Sequence, residues 1–103
     1  MSDLNLIVVI ANKYKEEEIM MVANEAGAHG GTVIHGRGTA DPKKMNLLRL
    51  TVEPEKEVIL IVCSQEKTEA IKQAVKEKLN LEKPNHGILF VVPIKKAIGY
   101  MEV

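Results

Sequence analysis

The sequence has 103 residues with 14 basic and 14 acidic side chains, so it carries no net charge when its histidines are neutral. A chain of this length forms one domain with one core, and balanced charge provides no field for a nucleic-acid backbone or an anionic membrane surface. The single Cys63 excludes an intramolecular disulfide, and no apolar run approaches the roughly 20 residues of a spanning helix. We therefore expect one cytoplasmic domain over residues 1–103 that binds no nucleic acid.

The first half of the chain predicts a strand, a helix and a second strand. Residues 4–11 are apolar and β-branched at successive positions, as in a strand covered on both faces. From about Lys15, three glutamates and then apolar residues at helical spacing predict a helix that ends at Gly27. Residues 32–35 predict the second strand, and residues 37–46 form a polar loop.

The third strand is predicted with an interruption. Residues 48–53 alternate between apolar and polar, which is the period of a strand with one wet face. The charged stretch 53–57 contains Pro54, and proline cannot donate to a sheet ladder. This stretch therefore predicts a kink or a bulge before the apolar run 58–62.

The last third of the chain predicts a helix and a strand. Ser64 is placed to cap a helix with an apolar stripe that ends near Asn80. A polar turn over residues 82–87 leads to an apolar strand over 88–94, and the tail 95–103 leaves room for one more short strand.

The order of these elements is β-α-β-β-α-β, the split arrangement of the ferredoxin-like fold. This fold is an α+β sandwich in which an antiparallel sheet carries two helices on one face. Three of the predicted strands are apolar on both faces, so the face without helices would expose a large apolar patch in a monomer. Association of several copies through this open sheet face is the simplest remedy.

The segment 30–39 is the clearest candidate for a binding site. Glycines enclose a short β-branched strand, and Arg37 stands between Gly36 and Gly38. Glycine permits positive φ and has no Cβ, so both glycines would let backbone N–H groups approach a ligand, with Arg37 available to an anion. The alternative is an arginine that faces solvent in a turn.

Two segments together resemble the PII signal-transduction family, particularly its shorter, divergent members. One is residues 36–39 with the loop that follows, and the other is Pro84-Asn85-His86-Gly87 with the apolar strand after it. The resemblance covers nearly the whole chain. It implies a homotrimer that binds adenine nucleotides between subunits and regulates an enzyme or membrane transporter of nitrogen or carbon metabolism. Residues 37–47 correspond to the family's T-loop, which docks on the partner, and residues 82–87 to its phosphate-facing B-loop.

The resemblance also assigns candidate site residues by position. The ligand-binding candidates are Thr32 near the adenine, Gly36, Arg37 and Gly38 at the base of the T-loop, Val62 on the cleft wall, and Asn85, His86 and Gly87 near the phosphates. The candidate contacts with the partner protein are Lys43, Lys44 and Met45 on the T-loop.

Two departures from the family pattern bear on the ligand. Ile88 stands where the family has its B-loop lysine, and Gly99 and Tyr100 occupy the region of its two C-terminal arginines. Charge-assisted hydrogen bonds are the strong contacts for phosphate, and here fewer are available. No cofactor is certain, and a less charged adenine nucleotide or another small metabolite is favoured over a triphosphate.

Two other functions remain open on the sequence alone. A trimeric divalent-cation-binding protein of the cation-tolerance type would share the fold but needs converging ligands, and the three dispersed histidines lack any metal spacing. A small phosphoryl-transfer enzyme would use His86 and needs a matched acid, base or metal. Cys63 follows an apolar run and is expected to be a small buried hydrophobe. We expect no metal site and no catalytic residue.

Overall fold

The computed structural model describes residues 3–39 and 55–100. The elements in chain order are β1 (Leu4–Asn12), α1 (Glu16–Glu25), β2 (Thr32–Arg37), β3 (Glu55–Ser64), α2 (Gln65–Leu79) and β4 (Ile88–Ile94). The predicted order of elements and the ferredoxin-like α+β fold are confirmed. The alternating stretch 48–53 and the partner candidates Lys43, Lys44 and Met45 lie outside the described residues.

The four strands form one antiparallel sheet in the order β2-β3-β1-β4. β1 is central and pairs with β3 on one side and β4 on the other, with Asn12 opposite Lys56. β2 extends the sheet beyond β3 and ends with Arg37 opposite Glu55. The register therefore brings the ends of three strands together at one corner of the sheet.

Both helices pack on one face of the sheet, and the core lies between the two layers. The largest fully buried side chains are Ile7, Val9, Ile19, Ile59, Ile61, Ile71 and Val75. They recur at every second residue in the strands and at helical spacing in the helices, as these periods require. Burying a side chain of this size contributes about 1.5–3 kcal/mol, so this layer fixes the elements that carry the site.

The opposite face of the sheet is apolar and exposed in the single chain. Its most exposed large side chains are Ile34 at 49%, Ile88 at 54%, Phe90 at 42% and Val92 at 40%. They alternate with the core-facing residues of β2 and β4. The exposed apolar patch expected from the strand pattern is therefore present, and association through it stays a prediction.

The second strand is longer than its sequence predicts. β2 continues through Gly36 to Arg37 because β3 provides pairing partners as far as Glu55. Gly36 does not have positive φ, and no atom lies within 4 Å of the position of an added Cβ. The expectation of positive φ at Gly36 is therefore wrong, and the close approach of a ligand to its backbone stays a prediction.

The charged stretch 55–57, predicted to interrupt the third strand, is a regular part of β3. Each charged side chain finds a partner at the end of the sheet. Glu55 pairs with Lys13, the Lys56 ammonium donates to the Asn12 side chain, and Glu57 accepts backbone N–H groups at the start of α1. Pro54 and the bulge expected around it lie outside the described residues.

Ser64 does not cap α2 through its side chain as predicted. It occupies the N-cap position, but its hydroxyl makes no capping hydrogen bond and is buried without a partner in the described part of the chain. The carbonyl of Asp3, just before β1, accepts the N–H of Gln65 at 2.9 Å, so backbone satisfies the first N–H of α2. α2 ends as predicted at Asn80, which has φ of 53°. Residues 95–100 contain no strand.

Candidate functional site

A surface cleft of about 350 Å³ lies at the ends of β2 and β3, and we call it the arginine cleft. Its lining residues are Lys13, His35, Gly36, Arg37, Glu55 and Lys56. The antiparallel register explains this grouping because it places Gly36 opposite Lys56 and Arg37 opposite Glu55. The structure thus joins two of the predicted site residues, Gly36 and Arg37, with four others.

The arginine cleft holds three strong cations and one carboxylate. Lys13 forms an ion pair with Glu55, and its ammonium lies 4.8 Å from the centre of the Tyr14 ring. The hydrogen bond from Lys13 lowers the pKa of Glu55, and the same bond raises the pKa of Lys13. Both groups are therefore charged at neutral pH, and Lys13, Arg37 and Lys56 leave a net positive lining.

Glu57 attaches α1 to this corner of the sheet. Its side chain is buried, and Oε1 accepts the backbone N–H groups of Lys15 at 2.9 Å and Glu16 at 3.2 Å. A carboxylate at the N-terminus of a helix satisfies donors that have no partner within the helix and interacts favourably with the helix dipole. His35 Nδ1 lies 3.9 Å from the other oxygen of Glu57, so the arginine cleft is tied to the start of α1.

A second cleft of about 470 Å³ lies beside the turn between α2 and β4, and we call it the turn cleft. Its lining residues are Asn12, Lys15, Lys78, Leu79, Asn80, Pro84, Asn85 and His86. His86 Nδ1 lies 3.0 Å from the carbonyl oxygen of Leu79. Because a carbonyl only accepts, Nδ1 carries the proton and donates it, and Nε2 points away from this bond. The ring therefore satisfies a carbonyl at the end of α2.

Asn12 connects the two clefts. The Lys56 ammonium donates to Asn12 Oδ1 at 2.5 Å, and Asn12 Nδ2 donates to the carbonyl of Asn85 at 3.1 Å. Asn85 itself has φ of 67°. Gly87 has φ of 129°, and a Cβ at this position would lie 2.6 Å from the carbonyl oxygen of Ile10. Only glycine allows the turn to approach β1 this closely.

The remaining predicted residues lie apart from these clefts. Thr32 is exposed opposite Leu60, and Val62 is half-buried opposite Leu6. Both belong to the open sheet face by the alternation of the strands. Gly38 is half-buried just beyond β2. A single chain thus groups Gly36 with Arg37 and Asn85 with His86, but it does not assemble the predicted set into one pocket.

Sequence reasoning missed polar residues that line the two clefts, above all Asn12, Lys13, Lys56 and Lys78. The available signal was the polar run that follows the first strand, together with the charged stretch 55–57. Because residues 55–57 were interpreted as an interruption of the third strand, their pairing with β2 was not predicted. Within residues 3–39 and 55–100, no group of three or more His, Cys, Asp or Glu could hold a metal ion.

No helix in the described part of the chain is long and apolar enough to cross a membrane. Cys63 is buried, as expected, and its sulfur lies 3.3 Å from the hydroxyl of Thr68.

Comparison with known proteins agrees with the fold and identifies the family. Arabidopsis thaliana PII bound to citrate superposes with a TM-score of 0.69 and 18% identity, over 91% of this chain and 77% of that one. B. subtilis GlnK gives a TM-score of 0.65 and 20% identity, over 91% of this chain and 87% of that one. The B. subtilis GlnK-ATP complex gives a TM-score of 0.64 and 21% identity, over 90% of this chain and 85% of that one.

At these identities the structures show a shared fold. No curated protein sequence matches significantly. The pattern of the family described as nitrogen regulatory protein P-II matches residues 4–100. This chain therefore belongs to the nitrogen regulatory protein P-II family.

Proposed function

We propose that this chain is a PII-like regulatory protein that binds a small metabolite at the arginine cleft and controls a partner protein through the segment between β2 and β3. Proteins of the P-II family are regulators rather than enzymes and typically form trimers. Family membership, together with the likeness to PII structures with bound citrate and ATP, supports a regulator that binds small metabolites.

The observation that carries this proposal is the position of Arg37 and Glu55. They face each other across β2 and β3, and both line the arginine cleft. Because β2 ends at Arg37 and β3 begins at Glu55, a ligand in this cleft contacts both ends of the intervening segment. A ligand that makes these contacts in only one arrangement of the segment shifts the population toward that arrangement.

The charge of the arginine cleft favours an anion of modest charge. Lys13, Arg37 and Lys56 provide cations, while Glu55 opposes a highly charged ligand. Ile88 stands where the family has its B-loop lysine, and the loss of that positive charge also disfavours a highly charged ligand. The proposed ligand is therefore a less charged adenine nucleotide or a small anionic metabolite. Neighbouring copies packed on the open sheet face, as a homotrimer, would bring further surface to the site.

The remaining candidate residues from the sequence are proposed to contact the ligand or the partner protein in the trimer. The proposed additional ligand contacts are Thr32, Gly38, Val62, Asn85, His86 and Gly87. The proposed contacts with the partner enzyme or transporter are Lys43, Lys44 and Met45.

A thermal-shift screen of adenine nucleotides, 2-oxoacids, bicarbonate and divalent cations tests the ligand proposal. A ligand at about 100 times its Kd adds about 2.7 kcal/mol to the free energy of unfolding. We expect a nucleotide or a small organic anion to raise the Tm, and Arg37→Ala to remove the shift. Lys72→Ala is the charge control, because Lys72 pairs with Glu69 on α2 and lies outside the arginine cleft.

Other results of this screen would contradict the proposal. Stabilisation by a divalent cation, with no response to any anion, would favour the cation-binding alternative. In a separate assay of phosphoryl transfer, activity that is lost on replacing His86 would favour the enzymatic alternative. An equal loss of the shift in Arg37→Ala and Lys72→Ala would show a response to general charge instead of a site.

A further inference from the structure

The arginine cleft contains an anion that belongs to the chain itself. Lys13 pairs with Glu55 and both residues line the cleft, so a carboxylate already occupies a cation that a bound anion would need. The hydrogen bond from Lys13 lowers the pKa of Glu55 most, and the positive charges of Lys13, His35 and Arg37 lower it further. Glu55 is therefore a shared counter-ion for the cations of this cleft.

The ion pair between Lys13 and Glu55 is weak enough to be exchanged. The two side chains are 44% and 55% exposed, so water reaches both of them and screens their attraction. An ion pair this exposed changes an equilibrium by about fivefold at most. The carboxylate is hydrated as soon as it leaves the ammonium, so a second anion can replace it at little cost.

Lys13 is the fixed partner of this pair. Asn12 before it is bonded to both β3 and the turn before β4, and the N–H of Lys15 after it donates to the buried Glu57 carboxylate. Between these two anchors Tyr14 has φ of 72°, which is strained for a residue with a side chain. The Tyr14 ring lies 4.8 Å from the Lys13 ammonium and attracts it. The ammonium therefore keeps its position when its carboxylate partner leaves.

Glu55 is the partner whose release reaches the segment between β2 and β3. It is the first residue of β3 and lies opposite Arg37, the last residue of β2. Lys56 and Glu57 keep their own bonds to the turn after β1, so β3 stays attached to the sheet corner. Release of Glu55 therefore acts where the segment enters the sheet.

We propose that Glu55 is a resident competitor for the ligand of the arginine cleft. The bound anion replaces the Glu55 carboxylate on the Lys13 ammonium, and the displaced carboxylate signals occupancy at the start of β3. This inference rests on the function proposed for the arginine cleft and specifies how that site is regulated. Because coupling is reciprocal, a partner protein that draws Glu55 away from Lys13 raises the affinity for the anion.

An NMR titration of the full chain with sodium malonate at constant ionic strength tests the competition. Malonate is a small carboxylate dianion, and the amide signals of Gly36 and Arg37 report its binding. Glu55→Gln should lower the malonate Kd about threefold to fivefold, because a neutral amide does not hold the ammonium as a carboxylate does. Glu69→Gln is the matched control and should leave the Kd unchanged, because Glu69 pairs with Lys72 on α2, outside this cleft.

The carboxyl carbon signal of Glu55 reports the exchange directly. In Lys13→Gln without malonate, this signal marks the carboxylate that has lost its ion pair. Malonate should move the Glu55 signal of the native chain toward that position and leave the signal of the buried Glu57 unchanged. In a double-mutant cycle, the gain from Glu55→Gln should be smaller in the Lys13→Gln background, since the competition is for that ammonium.

Three results would overturn the inference while the ligand site remains. One is an equal malonate Kd in the native chain and in Glu55→Gln. The second is a Glu55 carboxyl signal that does not move at saturation, which would place the anion beside an intact ion pair. The third is a gain from Glu55→Gln that is equally large in the Lys13→Gln background.

Two further results have a different meaning. An equal gain in Glu55→Gln and Glu69→Gln would assign the effect to net charge and would also overturn the competition. Adenosine monophosphate serves as a second probe. If neither probe shifts the cleft amides of the native chain or of Glu55→Gln, the proposed ligand site itself is contradicted, and the competition with it.

Discussion

Asn12 links Lys56 to the turn between α2 and β4: the Lys56 ammonium donates to Asn12 Oδ1 at 2.5 Å, and Asn12 Nδ2 donates to the carbonyl of Asn85. Asn12→Asp keeps an acceptor for Lys56 but loses the donor to the Asn85 carbonyl. We expect hydrogen exchange of the turn amides at Leu81 and Lys83 to accelerate about fivefold, which corresponds to about 1 kcal/mol. Unchanged exchange in Asn12→Asp would show that Asn12 does not hold the turn.

Gly87 is the glycine on which the position of the turn depends. Gly87→Ala combines φ of 129° with a Cβ that would lie 2.6 Å from a backbone oxygen, so we expect a loss of about 2 kcal/mol or more in the free energy of unfolding. Gly36→Ala is the matched control, because its Cβ meets open space and its φ is not positive. That variant should stay within about 0.5 kcal/mol. Urea denaturation measures both, and equal losses would contradict the assignment.

The Lys13 and Glu55 ion pair predicts a dependence of stability on pH. Lys13 lowers the pKa of Glu55 below its ordinary value of 4.5, so the pair stabilises the folded state above pH 4.5. This contribution is lost as the pH falls through the lowered pKa. The Tm difference between the native chain and Glu55→Gln should therefore be present at neutral pH and disappear in acid.

Because both side chains of this pair are about half exposed, the Tm difference should be small and should shrink at about 0.5 M salt. A Tm difference that grows as the pH falls would contradict the sign of the pKa shift.

The open sheet face predicts the assembly. Phe90→Asp places a charge on the exposed apolar surface that we propose is covered by neighbouring copies. Light scattering should show a trimer for the native chain and smaller species for this variant. Met21→Asp is the control, because Met21 is 53% exposed on α1, away from that face. A native monomer, or equal dissociation of both variants, would exclude this mode of association.

The periodicity of the sequence was sufficient for the element order and for much of the core. Ile19, Ile71 and Val75 recur at helical spacing and are fully buried. Strand ends were harder to predict because they depend on partners far along the chain. β2 reaches Arg37 only because Glu55 and Lys56 pair with it, and no local pattern in either segment shows this.

Only part of the candidate site could be predicted, because its other residues come together through partners far along the chain. Gly36 and Arg37 were predicted from local composition and line the arginine cleft, and Asn85 and His86 were assigned by the family resemblance and line the turn cleft. Asn12 and Lys78 joined the turn cleft through tertiary packing. Ser64 occupies the N-cap position without a capping side-chain hydrogen bond, and the N–H of Gln65 donates to the carbonyl of Asp3, a contact far away in sequence that no local pattern indicates.

Hydrogen exchange of residues 38–54 with and without ligand is the most direct test of the central claim. The measurement uses the compound that gives the largest Tm shift among the nucleotides and small organic anions, in the native chain and in Arg37→Ala. We predict that this compound changes exchange in 38–54 of the native chain and has no effect on Arg37→Ala. Stabilisation with unchanged exchange in 38–54, or no stabilising compound in the screen, would contradict control of this segment by a ligand at the arginine cleft.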